Sequence, residues 1–238
     1  GDFRGGDQES DGQPAFAMQL VRRGIVAISI NYRQMGGAFN MSVSDVPQLA
    51  ATEDARAAVR YMRKVAKDYR IDVDRIMIEG DSAGAVTSLY LGYAKDAQRE
   101  GHSGNPGYRS DVRLVVAVSG ELKAQAYCSQ ISPYPAGCSI DGPIDHVGDI
   151  GSFKGQPALF MIHGTNDHTV PYVDAKSVFD AAKAANIPAS LVTIEGAYHV
   201  PWKEFYASST YMDQLLTFTI DQLDLGHAEC PQPSAVLV

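Results

Sequence analysis

Ser82 is the residue whose neighbours best equip it to act as a nucleophile. It lies in Gly80-Asp81-Ser82-Ala83-Gly84, directly after the apolar run Ile76-Met77-Ile78 and directly before the helix-like segment 85–94. Strand, Gly-x-Ser-x-Gly turn and helix, in that order, raise a serine hydroxyl out of a sheet. So tight a turn is expected to leave no room for side chains at its two flanking positions, which accounts for Gly80 and Gly84. The Ala83 N–H then falls at a helix N-terminus, where it can donate to a developing oxyanion.

A serine hydroxyl needs a base within hydrogen-bond reach, and that base needs an orienting acid. Two further loops at strand ends offer them. One is His163-Gly164-Thr165-Asn166-Asp167-His168-Thr169-Val170-Pro171, and the other is Glu195-Gly196-Ala197-Tyr198-His199-Val200. In this reading Asp167 accepts from Nδ1–H of His199, and Nε2 of His199 takes the Ser82 proton. Each residue has a blander alternative. Asp167 could simply cap the helix beginning near Pro171, and His199 could be a satisfied loop histidine. His168 is the competing base. His163, at the strand end, reads as a turn residue. Asp81 and Glu79 read as hydrogen-bonding groups within the elbow, and Trp202 as packing near the His199 loop. His102, His146 and His227 read as solvent-facing.

Something must bring these loops to one edge. Apolar, β-branched runs predict strands over Ile25–Ile30, Arg75–Glu79, Leu114–Val118, Pro157–Ile162 and Leu191–Ile194. Helical spacing predicts helices over Leu49–Tyr69, Ala83–Glu100, Pro171–Asn186 and Ser208–Leu223. In the first helix Val59, Met62, Val65, Ala66 and Tyr69 line one side, and Arg60, Arg63, Lys64, Lys67 and Asp68 are expected on the wet side. In the third, Val173, Val178, Phe179 and Ala182 are expected inward. Strands alternating with helices call for an α/β domain with a mostly parallel sheet and helices on both faces. Working sites of such sheets lie outside the carboxyl ends of the strands. All three loops leave that edge.

The 238 residues suit one sizeable core, read as a single domain over 1–238, with an irregular, lid-like excursion over about 121–153. The formal charge is −8 and the cations are scattered, so no surface is expected to track a phosphate backbone. No apolar run is long enough to span a bilayer. Three cysteines leave two readings: separate thiols, or a Cys128–Cys138 disulfide with Cys230 apart. The second would place the chain in an oxidising compartment, secreted or lumenal. Their spacing fits no zinc pattern.

Taken together, Gly80–Gly84, Ser29-Ile30-Asn31-Tyr32-Arg33, His163–Asp167 with Val170-Pro171, and Gly196-Ala197-Tyr198-His199 resemble the α/β-hydrolase carboxylesterases. These include the hormone-sensitive-lipase-like group. The resemblance runs from residue 1 to about 224. It implies a three-layer α/β-hydrolase sandwich and hydrolysis of small carboxylic esters by Ser82, His199 and Asp167, with no metal or organic cofactor. The order Ser, acid, His is that of this fold. Gly1-Asp2-Phe3 resembles the end of the family's oxyanion loop, with Asp2 where glycine is usual. The resemblance thus implies oxyanion donors at Ala83, Gly1 and Asp2, and strands ahead of Gly1 that this sequence lacks. The family's larger cap has no counterpart here. The alternative is a noncatalytic binding or assembly subunit on the same scaffold. A homo-oligomer or larger assembly is left open.

Overall fold

A computed structural model of the chain describes residues 3, 5–9, 12–34, 47–95, 100–101, 103–122, 146–226 and 235–237. Seven α-helices are described: α1 (Gln13–Val21), α2 (Pro47–Lys64), α3 (Ala66–Tyr69), α4 (Ala83–Tyr93), α5 (Tyr172–Ala184), α6 (Trp202–Ala207) and α7 (Ser209–Leu223). The strands are β1 (Val26–Ile28), β2 (Ile76–Asp81), β3 (Leu114–Val118), β4 (Ala158–Gly164), β5 (Ala189–Ile194) and β6 (Ala235–Leu237). They form one sheet in the order β1-β6-β2-β3-β4-β5, with every pairing parallel.

Strand side chains alternate between faces, so a sheet covered on both sides must be apolar at every position. β3 shows this directly. Val115 and Ala117 join the core beneath α2, α4 and α5, with Val59, Met62, Leu89, Val178 and Ala182. Leu114, Val116 and Val118 join the opposite core with Phe16 and Leu20 of α1, Phe205 of α6, and Leu215 and Leu223 of α7. The two faces make the three-layer sandwich. The parallel register points the ends of β2, β3, β4 and β5 to one edge, where Ser82, Ser119, Asp167 and His199 follow them.

The expected strands all appear, with ends shifted by a few residues. α4 stops at Tyr93, well before Glu100. Ala94 is extended (φ −76°, ψ 129°), and the Lys95 N–H donates to Asp149 Oδ2 at 3.0 Å, drawing the chain out of the helix. Helices α1 and α6 and strand β6 were not anticipated. α1 carries its signal in Phe16 and Leu20, one helical turn apart, with Pro14 in the first turn.

Three burial expectations are corrected. Arg60 and Arg63 are only 3% and 7% exposed. With Arg56 they form a buried ladder on α2 that satisfies main-chain carbonyls in the last turn of α4 and in the loops. Arg56 donates to Leu91 O, Arg60 to Glu100 O and Gly104 O, and Arg63 to Val73 O, Arg109 O and Asp111 O. Five-donor guanidinium groups suit that task, so the two arginines of the charged run are interior, while Lys64, Lys67 and Asp68 are exposed as expected. Tyr69 and Val173, expected inward, are 57% and 70% exposed. Val173 lies roughly 140° around α5 from Val178, at about 100° per residue. His146, expected in solvent, is buried, with Nδ1 2.8 Å from Asp149 Oδ2. His102, His227, the three cysteines, Gly1, Asp2 and residues 123–145 of the expected excursion lie outside the described residues.

Candidate active site

Ser82 connects β2 to α4 with φ 49° and ψ −118°. Such a backbone costs a non-glycine residue about 1–3 kcal/mol and persists only where the surroundings enforce it. Here the Ser82 N–H donates to Val118 O at 2.9 Å, and its carbonyl accepts the Val86 N–H at 3.0 Å. Gly80 is required: a Cβ there would lie 2.3 Å from the Gly84 carbonyl carbon. Gly84 is not required in the same sense, because a Cβ there meets nothing within 4 Å. The tight approach is therefore one-sided, against the expectation for Gly84. Ala83 opens α4, so its N–H is among the first-turn donors without an intrahelical acceptor.

Asp167 and His199 arrive on two loops stitched together. Asn166 N–H donates to Ala197 O (2.9 Å), Gly196 N–H to Thr165 Oγ1 (2.8 Å), and Thr165 N–H to Ile194 O (3.1 Å). Gly164 permits this contact, since a Cβ there would lie 2.3 Å from Ala197 O. On the far side of His199, the Val200 N–H donates to Ser119 Oγ at 2.9 Å.

The geometry is a continuous hydrogen-bonded line. Asp167 Oδ2 is 2.8 Å from His199 Nδ1, and His199 Nε2 is 2.8 Å from Ser82 Oγ. A carboxylate only accepts, so Nδ1 carries the proton and Nε2 is left to accept the serine hydroxyl. Asp167 Oδ1 meanwhile accepts the N–H groups of Thr169 and Val170, both at 2.9 Å. Asp167 Oδ1 therefore closes the turn ahead of α5 and does not cap the helix, whose N-cap Pro171 has no side-chain cap, while Oδ2 faces His199. Burial of this carboxylate pushes its pKa up. Hydrogen bonds from His163, His199 and the Val170 N–H, and the proximity of His199, outweigh burial and hold it far below the usual carboxylate range. Ser82 is buried and the His199 side chain is partly exposed.

The neighbouring candidates fall elsewhere. His168 is exposed, its ring 6.1 Å from that of Tyr198. Asp81 reaches beyond the elbow: its Oδ2 accepts from Gln13 Nε2 (2.9 Å) on α1 and Trp202 Nε1 (3.0 Å) on α6. Trp202 packs as expected, stacked on Tyr206 at 5.4 Å. Glu79 is fully buried, and neither carboxyl oxygen accepts a hydrogen bond. Burial, and then the Asp81 charge, push its pKa well above the ordinary value of 4.5. Gln13 opposes this weakly, its amide being directed to Asp81. Among the described residues no group of three or more His, Cys, Asp or Glu side chains is arranged to hold a metal ion, and no helix is long and apolar enough to cross a membrane. Ser119 was missed by sequence reasoning. Its only signal is its place at the end of a buried strand that leads to the working edge.

The family model BD-FAE matches residues 1–133, more than half of the chain. The chain belongs to the BD-FAE family. Its curated relatives include the acylamino-acid-releasing enzymes of Rattus norvegicus, 22% identical, and Homo sapiens, 21% identical. Each alignment runs over 214 residues and covers 84% of this chain. The BD-FAE chain spans only 28% of the length of those relatives. Among solved structures, a truncated form of a carbohydrate esterase from gut microbiota aligns with TM-score 0.60 at 24% identity, covering 82% of this chain and 73% of that one. Native esterase 2 of Thermogutta terrifontis aligns with TM-score 0.69 at 21% identity, over 96% of this chain and 80% of that one. The same esterase phosphorylated by paraoxon aligns with TM-score 0.67 at 21% identity, over 97% and 82%. These likenesses establish the α/β-hydrolase fold of the BD-FAE chain.

Proposed function

We propose that the protein is a serine esterase that hydrolyses small carboxylic esters through an acyl-enzyme. The observation that carries this reading is the unbroken line Asp167–His199–Ser82, with both links at 2.8 Å. Ser82 Oγ attacks the ester carbonyl while His199 Nε2 takes its proton. The tetrahedral oxyanion is held by the Ala83 N–H, with Gly1 and Asp2 as the further donors implied by the family's loop. His199 returns the proton to the leaving alkoxide, and the carbonyl re-forms as the C–O bond breaks. Water, activated by His199, then attacks the acyl-Ser82 ester and releases the acid. Asp167, anionic throughout the working range, keeps the imidazole in the tautomer that accepts at Nε2.

The fold neighbour that is found phosphorylated by paraoxon is an esterase, which fits a reactive serine on this scaffold. Labelling with a fluorophosphonate probe tests the reading, with Ser82→Ala as control. Stoichiometric labelling, lost in the variant, is the expected result. A folded wild-type chain that takes no label would favour the noncatalytic binding subunit instead.

The likeness to acylamino-acid-releasing enzymes favours a second reading, in which the same machinery cleaves the amide of an N-acylated amino acid. Turnover of N-acetylalanine p-nitroanilide compared with p-nitrophenyl acetate separates the two. The ester reading requires kcat/KM to favour the acetate ester far beyond their difference in spontaneous hydrolysis.

A further inference from the structure

His163, at the end of β4, is wholly buried. Its Nε2 lies 2.9 Å from Val170 O and 3.3 Å from Asp167 Oδ2. A carbonyl cannot donate, so Nε2 carries hydrogen and faces both acceptors. Its Nδ1 is buried and has no hydrogen-bond partner. The ring of Tyr172 stands edge-on, 6.0 Å away. Val170 thus gives its N–H to Asp167 Oδ1 and presents its carbonyl to His163. One imidazole holds the turn of residues 167–170 from below while touching the carboxylate that turn carries. Two histidines therefore converge on Asp167 Oδ2, His199 at 2.8 Å and His163 at 3.3 Å.

We infer that His163 is a positioning residue for Asp167: its Nε2–H fixes the carboxylate in the orientation that His199 requires. The inference rests on the reading of Ser82, His199 and Asp167 as the catalytic machinery. Space-filling alone does not need an imidazole in an apolar strand end. A buried ring with one nitrogen unused and the other shared between Val170 O and Asp167 is spending its polarity on that turn. Without the donor, the Val170 carbonyl loses its partner and the carboxylate loses one of its four contacts.

The test compares His163→Phe with His163→Gln, whose side-chain Nε2 supplies a donor near the imidazole Nε2. Both are made in the wild-type and Asp167→Asn backgrounds of the whole chain, with p-nitrophenyl acetate as the probe. His163→Phe should lower kcat about 10- to 100-fold with KM within about twofold, the signature of misplaced machinery. His163→Gln should recover most of that loss. In the Asp167→Asn background the Phe substitution should cost nothing further, because it acts through that carboxylate. Equal losses in both backgrounds, or a Gln variant no better than Phe, would overturn the inference. If the Phe variant does not fold, His163→Asn, with its donor too short to reach, takes its place against Gln. Histidine NMR keeps the two readings apart. The His199 Nδ1–H resonance should move in the Phe or Asn variant even if the chain proves inactive. An unmoved resonance defeats the positioning role whatever the turnover.

Discussion

The Val200 N–H donates to Ser119 Oγ at 2.9 Å, and both residues hold left-handed backbone, each with φ 53°. Ser119 follows β3, between the strands that lead to Ser82 and Asp167, and Val200 follows His199. One side-chain oxygen thus ties the His199 loop to the middle of the sheet. Ser119→Ala removes that acceptor and strands a partly buried N–H. It should cost about 1–3 kcal/mol in urea denaturation. It should also lower kcat more than it raises KM, because the base is displaced while the binding surface is kept.

The elbow makes an asymmetric prediction. Gly80→Ala places a Cβ 2.3 Å from backbone that cannot yield, and should abolish both soluble fold and activity. Gly84→Ala meets open space and sits in the first turn of a helix, where alanine is favoured. It should keep the wild-type melting temperature and most of the turnover. Equal damage from both substitutions would mean the turn is built differently.

Asp167 titrates far lower folded than unfolded. It therefore adds stability above its unfolded pKa of about 3.9, and that stability drains as pH falls below this value. Asp167→Asn should be less stable than wild type at neutral pH, with the gap closing in acid. Its kcat should fall on the order of 10³- to 10⁴-fold, since an amide can hold the imidazole in the wrong tautomer. Paired thermal melts from pH 3 to 8 and steady-state rates check both parts.

Glu79 has the opposite sign. Its folded pKa is raised, so both states are protonated in acid, and stability is lost as pH rises from the unfolded value of about 4.3 toward the folded one. Glu79→Gln removes that loss. It should be at least as stable as wild type at pH 7 and flatter across the same window, with little change in kcat. A large destabilisation at pH 7 would mean the Glu79 charge is satisfied by a partner.

The sequence made the architecture legible because strands buried on both faces must be continuous apolar runs, and such runs precede every site loop. Ser82, Asp167 and His199 were legible for a different reason: each follows a strand, and strand ends share an edge. Long-range pairing was not legible. Nothing local in Ala235–Leu237 says that it lies between β1 and β2. Arg60 and Arg63 misled because helical spacing reports charge as solvent, whereas their acceptors are carbonyls some forty residues away or more for the Gly104, Glu100, Arg109 and Asp111 contacts. His163 and Ser119 act through contacts made only once the loops have closed.

The most direct measurement is rapid acid quenching of the chain with p-nitrophenyl acetate, followed by peptide mass analysis. The account predicts a burst of one p-nitrophenol per chain and one acetyl group on the peptide bearing Ser82, both absent from Ser82→Ala. Turnover with no acetylated Ser82 peptide, or a burst that survives Ser82→Ala, would contradict it.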